Sequence, residues 1–157
     1  METGGQVDDG VVVEVTDATR SRVDRERVRA LAAYVLAEEG IDEGELGVHL
    51  VGERRIRALN REHRGLDEVT DVLSFPLEDE DEEPMVGVPR LLGDVVLCPV
   101  QARRQALADG TPPAFETALL IVHGVLHVLG WDHEDDPGPM ALRQGELLAA
   151  FDWTGLA

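Results

Sequence analysis

Apolar positions near the start of the chain follow first a strand pattern and then a helical one. Four of residues 11–15 are valine, a β-branched residue typical of strands. From Val28, apolar residues recur after three, four, seven and eight positions, the period of an amphipathic helix. Gly40 is placed to end this helix, since glycine readily takes the left-handed conformation of a helix C-terminus.

The middle of the chain predicts three more strands and a second helix. Residues 46–51 predict the second strand, residues 70–75 (TDVLSF) the third, which Pro76 ends, and residues 93–98 the fourth. A helix should follow the second strand, with one face made of Ile56, Leu59, Asn60 and His63.

Proline and glycine frame the next two helices. Pro99 opens the first of them and Gly110 closes it. Thr111 is predicted as the N-cap of the second, with Pro112 at its first helical position. The apolar pattern carries this helix on to Gly130.

A last helix is predicted over about residues 140–151. Four short strands among about five helices, with no repeat and no linker, predict an α+β domain built on a small mixed sheet. Residues 11–157 are expected to form this single domain, after a flexible tail at residues 1–10. No apolar run is long enough to cross a bilayer, and the N-terminus lacks the basic and apolar regions of a signal peptide.

Charge is distributed unevenly over a chain whose net charge is -18. Residues 1–64 hold 10 arginines against 14 acidic residues, whereas residues 65–157 hold 4 against 18. A polyanion would therefore approach the N-terminal half. The acidic run at residues 78–83 predicts a solvated loop. Cys98 is the single cysteine and lies in an apolar run, which predicts a buried thiol in a cytosolic protein without an intrachain disulfide.

Three of the five histidines lie in the segment HGVLHVLGWDH, residues 123–133. On a helix, His123 and His127 project from the same face one turn apart. Gly130 can end the helix and turn the chain, so that His133 reaches the same ion. Three imidazoles suit Zn²⁺ and leave one position for a water whose pKa falls to about 7. The pattern predicts one catalytic zinc ion per chain, and ordinary part-buried histidines are the alternative.

The same histidine offsets occur in the zinc-protease motif H-E-x-x-H-x-x-G-x-x-H. Gly124 stands where those proteases carry the glutamate that acts as general base. Asp132 could serve as an outer-shell partner or proton acceptor, or could be a solvent-facing loop acid. The segment therefore favours a metal-dependent hydrolase that is not a peptidase.

Three motifs together resemble the bacterial YbeY family of rRNA maturation factors. The histidine segment is similar to the family's H-G-x-L-H-L-x-G-x-D-H signature. Residues 59–64 (LNREHR) and 70–76 (TDVLSFP) resemble its L-N-x-x-[YFH]-R…T-D-V-L-S-F-P block, and residues 92–96 (LGDVV) its L-G-D-[IV]-x-[IV] strand. The order and spacing of the motifs agree over about residues 45–135.

The resemblance implies a zincin-like metal site and a metal-dependent, single-strand-specific endoribonuclease. It implies action on single-stranded rRNA in the cytoplasm, with the small ribosomal subunit and assembly factors as partners, in 16S rRNA 3′-end maturation and 70S ribosome quality control. It assigns the zinc ligands to His123, His127 and His133 and a functional arginine to Arg64. A guanidinium suits the negative charge that develops on phosphoryl oxygens, while the arginines at positions 54, 55 and 57 are predicted to lie on a solvated helix face.

Five other polar residues are assigned neither as metal ligands nor as catalytic groups. His63 is expected to pack against apolar neighbours, and His49 to be exposed or to lie against a helix. Asp71 and Asp94 are expected to accept hydrogen bonds, with a substrate role open for Asp71. Ser74 has no base within sequence reach and is assigned no nucleophilic role.

Two alternative functions stay open. A ribosome-assembly factor could act only by binding, with a metal that locks the helix and the turn together. A metallohydrolase of peptides or small molecules would share the histidine offsets, but Gly124 opposes it.

Overall fold

The computed structural model describes residues 10–77, 90–132 and 137–157. The first nine residues of the predicted tail, the acidic run at 78–83 and His133 lie outside this part of the chain.

The described residues contain one four-stranded mixed sheet. Its strands are β1 (Val11–Asp17), β2 (Gly44–Leu50), β3 (Val72–Pro76) and β4 (Leu91–Leu97). The spatial order is β1-β2-β4-β3, in which β1, β2 and β4 run parallel and β3 pairs antiparallel with β4. Parallel strands need long crossovers, and helices supply them here.

Five helices connect and cover the sheet. They are α1 (Arg25–Glu38), α2 (Glu53–Arg64), α3 (Pro99–Asp109), α4 (Pro113–Val128) and α5 (Pro137–Ala149). The Asp24 side chain caps α1 by accepting hydrogen bonds from two backbone N–H groups of its first turn. Gly65 and Gly110 end α2 and α3 in the left-handed conformation. Within the described residues, none of the helices is both long and apolar enough to span a membrane.

The two faces of the sheet support separate apolar clusters. Along β4, Val95 and Leu97 join the main core with α1 and α4, whereas Val96 joins a smaller cluster with Ile56 of α2 and Leu73 of β3. This is the alternation that a pleated strand imposes. As a result α4 lies against one face of the sheet, and α2 covers the β3–β4 side of the other.

The predicted fold class, with four strands and five helices, is confirmed, but the predicted N-cap of α4 is wrong. Pro112 occupies the cap position and Pro113 begins the helix. The backbone N–H of Thr111 instead donates to Ala106 O at 3.0 Å, so Thr111 belongs to the turn that closes α3. The Thr111 hydroxyl is buried and has no hydrogen-bond partner among the residues that the structure describes. The last helix also begins three residues earlier than predicted, at Pro137.

Candidate metal centre

Two of the three predicted ligands lie side by side on α4. The His123 and His127 rings are both half-buried, with centroids 4.5 Å apart and planes at 76°. This follows from their spacing of one helical turn. The two imidazoles could therefore bind one ion together. Among the described residues no third histidine, cysteine or acidic side chain completes such a group.

The chain turns back directly after α4, as predicted from the glycine at position 130. Gly130 has a φ of +102°, a conformation that side chains rarely adopt. Trp131 N donates to Leu126 O at 3.0 Å and closes the turn. The turn leads the chain on towards His133, which is outside the described residues.

Gln144 of α5 orients one of the two imidazoles. Nδ1 of His123 lies 2.6 Å from Oε1 of Gln144. An amide oxygen accepts, so Nδ1 carries the proton and Nε2 keeps its lone pair for a metal. Metal-binding histidines are commonly held in this way by a partner on the other ring nitrogen. Nothing in the sequence pattern near the histidines points to this residue of another helix.

Glu39, the C-cap residue of α1, accepts hydrogen bonds from the two elements next to the histidines, the turn after α4 and helix α5. One carboxylate oxygen accepts from Trp131 Nε1 at 2.7 Å, and the other accepts from Arg143 Nε at 2.7 Å. This hydrogen bond raises the pKa of Arg143. Trp131 belongs to the turn after α4, and Arg143 precedes Gln144 on α5. Glu39 therefore links both the turn after α4 and the part of α5 that carries Gln144 to the end of α1.

Gly124 faces the sheet rather than open space. A Cβ built on it would lie 2.7 Å from Val95 Cγ1, closer than atoms pack. Ser74 Oγ donates to Gly124 O at 3.0 Å from the neighbouring strand. The close approach to Val95 leaves no room for a glutamate at this position. The Ser74 hydroxyl is engaged by the hydrogen bond to the α4 backbone.

Arg64 is the last residue of α2 and is exposed. Within the described part of the chain no hydrogen bond or ion pair joins Arg64 to either histidine, so its role stays a prediction. Two arginines of the same helix are engaged elsewhere: Arg57 Nε donates to Asp67 Oδ1 at 2.8 Å, and Arg61 lies 3.5 Å from the same carboxylate. The hydrogen bond from Arg57 lowers the pKa of Asp67. Asp132 is exposed at the turn after α4.

The other histidines have structural contacts. His63 stacks edge-on against Phe75 of β3, with centroids 4.8 Å apart, although its side chain is half exposed. The hydrogen-bond partners of His49 within the described residues lie on strands. His49 bridges neighbouring strands, with Nε2 2.7 Å from Asp94 Oδ1 and Nδ1 2.8 Å from Thr16 Oγ1. Its position on β2 between β1 and β4 explains both contacts.

The remaining structural predictions are confirmed. Asp94 accepts from His49, and Asp71 Oδ1 accepts from the backbone N–H of Val72 at 2.8 Å. Cys98 is fully buried after β4, and burial raises the pKa of its thiol.

Comparison with known proteins identifies the family. The family described as Endoribonuclease YbeY matches residues 14–152, which is most of the chain. The chain belongs to the YbeY family. A protein from Geobacillus kaustophilus, named Endoribonuclease YbeY, is 41% identical over an alignment of 148 residues. The alignment covers 90% of this chain and 94% of that protein. Another, from Macrococcus caseolyticus, is 43% identical over 128 residues, 79% of this chain and 83% of the relative.

A solved structure is similar in fold to this chain. The solution structure of TM1509 from Thermotoga maritima has a TM-score of 0.58 and 25% sequence identity. The match covers 87% of this chain and 86% of that one. The overall fold of this chain is therefore similar to that of a solved protein.

Proposed function

We propose that this protein is a metal-dependent, single-strand-specific endoribonuclease that acts in 16S rRNA 3′-end maturation and 70S ribosome quality control. The observation that carries the proposal is the paired, oriented imidazoles of His123 and His127 in a chain of the YbeY family. Its substrate is single-stranded rRNA in the cytoplasm, and its partners are the small ribosomal subunit and assembly factors.

The donor set fits one zinc ion. His123 and His127 offer ring nitrogens from one helix face, and His133 would supply the third from the segment after the turn. Three neutral nitrogen donors are typical of catalytic rather than structural zinc. When bound, such an ion supplies Lewis-acid chemistry that activates water and polarises a phosphoryl oxygen.

The protein's own groups prepare this chemistry. Gln144 holds the Nδ1 proton of His123, so that Nε2 is presented as a neutral donor. Arg64 would bind the scissile phosphate, because its planar guanidinium gives two parallel donors to phosphate oxygens. The close contact of Gly124 with Val95 excludes the carboxylate that zinc peptidases place at this position, which supports an RNA rather than a peptide substrate.

The decisive experiment incubates the purified protein with a single-stranded RNA oligomer. Parallel reactions contain a chelator, the chelator followed by excess zinc, and the His123→Ala variant. We expect cleavage to stop with the chelator and with His123→Ala, and to return with zinc. A duplex of the same sequence should remain intact.

Arg64 is tested against a matched arginine. Arg64→Gln should lower cleavage by about 100-fold, the scale of one lost transition-state donor. Arg55→Gln removes an equally exposed arginine of the same helix and should have little effect. Intact RNA in every reaction, with one zinc still bound per chain, would contradict the enzyme and favour a ribosome-binding factor.

A further inference from the structure

A cavity separate from the candidate metal centre lies at the carboxyl ends of two parallel strands, β1 and β4. It has a volume of about 440 Å³ and is enclosed by the loop after β1 and by the starts of α3 and α4. Its lining shares no residue with the histidine site. Ligands of open α/β sheets commonly bind at this edge, and the volume falls in the ordinary range of small-molecule sites.

Three arginines line this cavity: Arg20 and Arg22 from the loop, and Arg103 from α3. All three are exposed, and within the described residues none forms an ion pair or hydrogen bond. The contrast is informative because the chain has 32 acidic residues against 14 arginines. In so acidic a protein, three cations that meet at one cavity without acidic partners are suited to an anionic ligand.

The loop that carries two of these arginines is fixed by its own hydrogen bonds. Asp17 Oδ1 accepts from Thr19 N at 2.8 Å and from Thr19 Oγ1 at 2.6 Å, and Ser21 N donates to Thr19 Oγ1 at 3.2 Å. The Asp17 carboxylate, at the end of β1, is thus engaged by a backbone N–H and a hydroxyl of the loop. Arg20 and Arg22 therefore project from an ordered turn.

The rest of the lining is mostly apolar. Val23, Val100 and the two helix-starting prolines, Pro99 and Pro113, supply a wall that could contact a ring. Thr117 also lines the cavity and is 3% exposed, and its hydroxyl forms no hydrogen bond among the described residues. An apolar wall combined with a few polar groups is the usual composition of a small-molecule site.

We propose that this cavity binds a nucleotide, with its phosphate on the three arginines and its base on the apolar wall. The phosphate can come from a free mononucleotide or from one nucleotide unit of an RNA strand. The cavity is separate from the candidate metal centre: on α4, Thr117 precedes His123 by six residues, about 9 Å along the axis. The proposal does not rest on ribonuclease activity.

Calorimetric titration of the full chain with AMP tests this directly. AMP should bind, whereas adenosine and inorganic phosphate, which each lack half of the ligand, should bind at least tenfold more weakly. Arg103→Gln and the Arg20→Gln/Arg22→Gln double variant should each weaken AMP binding by about tenfold or more. Thr117→Val, which keeps the shape, should weaken it several-fold.

The matched control is the Arg54→Gln/Arg55→Gln double variant, which removes two exposed arginines of α2 that form no ion pair with any described residue. It should bind AMP within twofold of the unaltered protein, and so should His123→Ala. A single-stranded RNA oligomer, titrated into His123→Ala to prevent cleavage, identifies the source: tighter binding than AMP indicates RNA, weaker binding a free nucleotide.

Three outcomes would overturn the proposal. The first is that neither AMP nor the oligomer binds. The second is that phosphate alone binds as tightly as AMP, and the third is that the α2 control or His123→Ala loses as much affinity as the cavity variants. Thermal unfolding of every variant verifies that it is folded.

Discussion

Gln144 sets the chemistry of a single ring nitrogen. Its Oε1 lies 2.6 Å from Nδ1 of His123, so its loss would free the imidazole to rotate and to change tautomer. We expect Gln144→Leu to lower zinc affinity by about 10- to 100-fold, the usual effect of losing such a partner. Competition with a chromogenic chelator measures this affinity.

Two control variants test whether the lower zinc affinity comes from losing the orientation of His123. The alternatives are a general disturbance of α5 and an effect of removing any glutamine. Gln144→Glu keeps an acceptor and should retain most of the affinity. Gln105→Leu removes a glutamine whose side chain, among the described residues, hydrogen-bonds only to Asp109 on α3, and it should leave zinc binding unchanged. If Gln144→Leu bound zinc as tightly as the unaltered protein, Gln144 would not be an orienting residue.

Glu116 makes stability depend on pH. It is 6% exposed on α4, and its pKa is raised, first by burial and then by Asp109 and Asp71. Below its ordinary pKa of about 4.3 both folded and unfolded chains hold the proton. As the pH rises through that value the unfolded chain ionises first, so the folded state loses stability until the pH passes the raised pKa.

Glu116→Gln should therefore raise the melting temperature at pH 7 to 8, with a gain that vanishes below about pH 4. Glu43→Gln, an exposed acid, makes the same change in net charge and serves as the control. Melting curves at several pH values measure both variants. An equal gain in the two would mean that relief of overall repulsion, not burial of Glu116, is responsible.

At the scale of single residues, the sequence predicted the paired histidines but not the side chains that orient and support them. The offsets within one helix and the glycine after it are local, so His123, His127 and the turn at Gly130 could be predicted. Gln144 is 21 residues from its partner, and the brace from Glu39 to Trp131 spans 92. Such contacts depend on how helices pack, which periodicity does not specify.

At the scale of elements, one glycine fixes how closely α4 approaches β4. Gly124→Ala would place Cβ 2.7 Å from Val95 Cγ1, and valine is stiff at χ1. Although alanine favours helix, we expect a loss of about 1–3 kcal/mol in the free energy of unfolding from overpacking. Urea denaturation followed by circular dichroism measures it.

Gly145 of α5 offers the opposite case. Among the described residues, no atom outside its chain neighbours and the backbone of its own helix lies within 4 Å of a Cβ built there. Gly145→Ala should therefore stabilise the protein by up to about 1 kcal/mol. Shortening the opposing side chain, as in Gly124→Ala/Val95→Ala, should recover part of the loss expected for Gly124→Ala alone. Stabilisation by Gly124→Ala would show that the helix and the strand are not in close contact.

Element boundaries were predicted where the signal is local. Pro99 and Gly110 frame α3 as expected, since proline and glycine act on their own backbone conformation. The start of α4 was misplaced by one residue because the N–H of Thr111 is used by the end of α3. Two helices compete for this residue, and a single-helix capping rule does not describe that competition.

For the whole molecule, the strands could be counted but not ordered. The order β1-β2-β4-β3, with only β3 antiparallel, depends on which strands meet after the crossovers. Along β4 every residue from Val95 to Leu97 is buried, so alternation did not show that the two faces serve different clusters. In the observed arrangement, α4 packs against the helices α1, α3 and α5 and against the strands β3 and β4.

Because α4 contacts so much of the fold, a ligand on its histidines should stabilise the whole molecule. A ligand that binds only the folded state at 100 times its Kd adds about 2.7 kcal/mol to the free energy of unfolding. For a chain of 157 residues this corresponds to a rise of about 5–10 °C in melting temperature. We expect this rise when zinc is restored to chelator-treated protein.

The rise should disappear in His123→Ala and persist in His63→Ala, whose histidine stacks on Phe75 away from α4. Scanning calorimetry of each protein, with and without zinc, makes the comparison. A rise that persists in His123→Ala would place the zinc elsewhere. A rise absent from the unaltered protein would mean that the two imidazoles do not hold the ion in the folded state, and both the metal centre and the ribonuclease built on it would fail together.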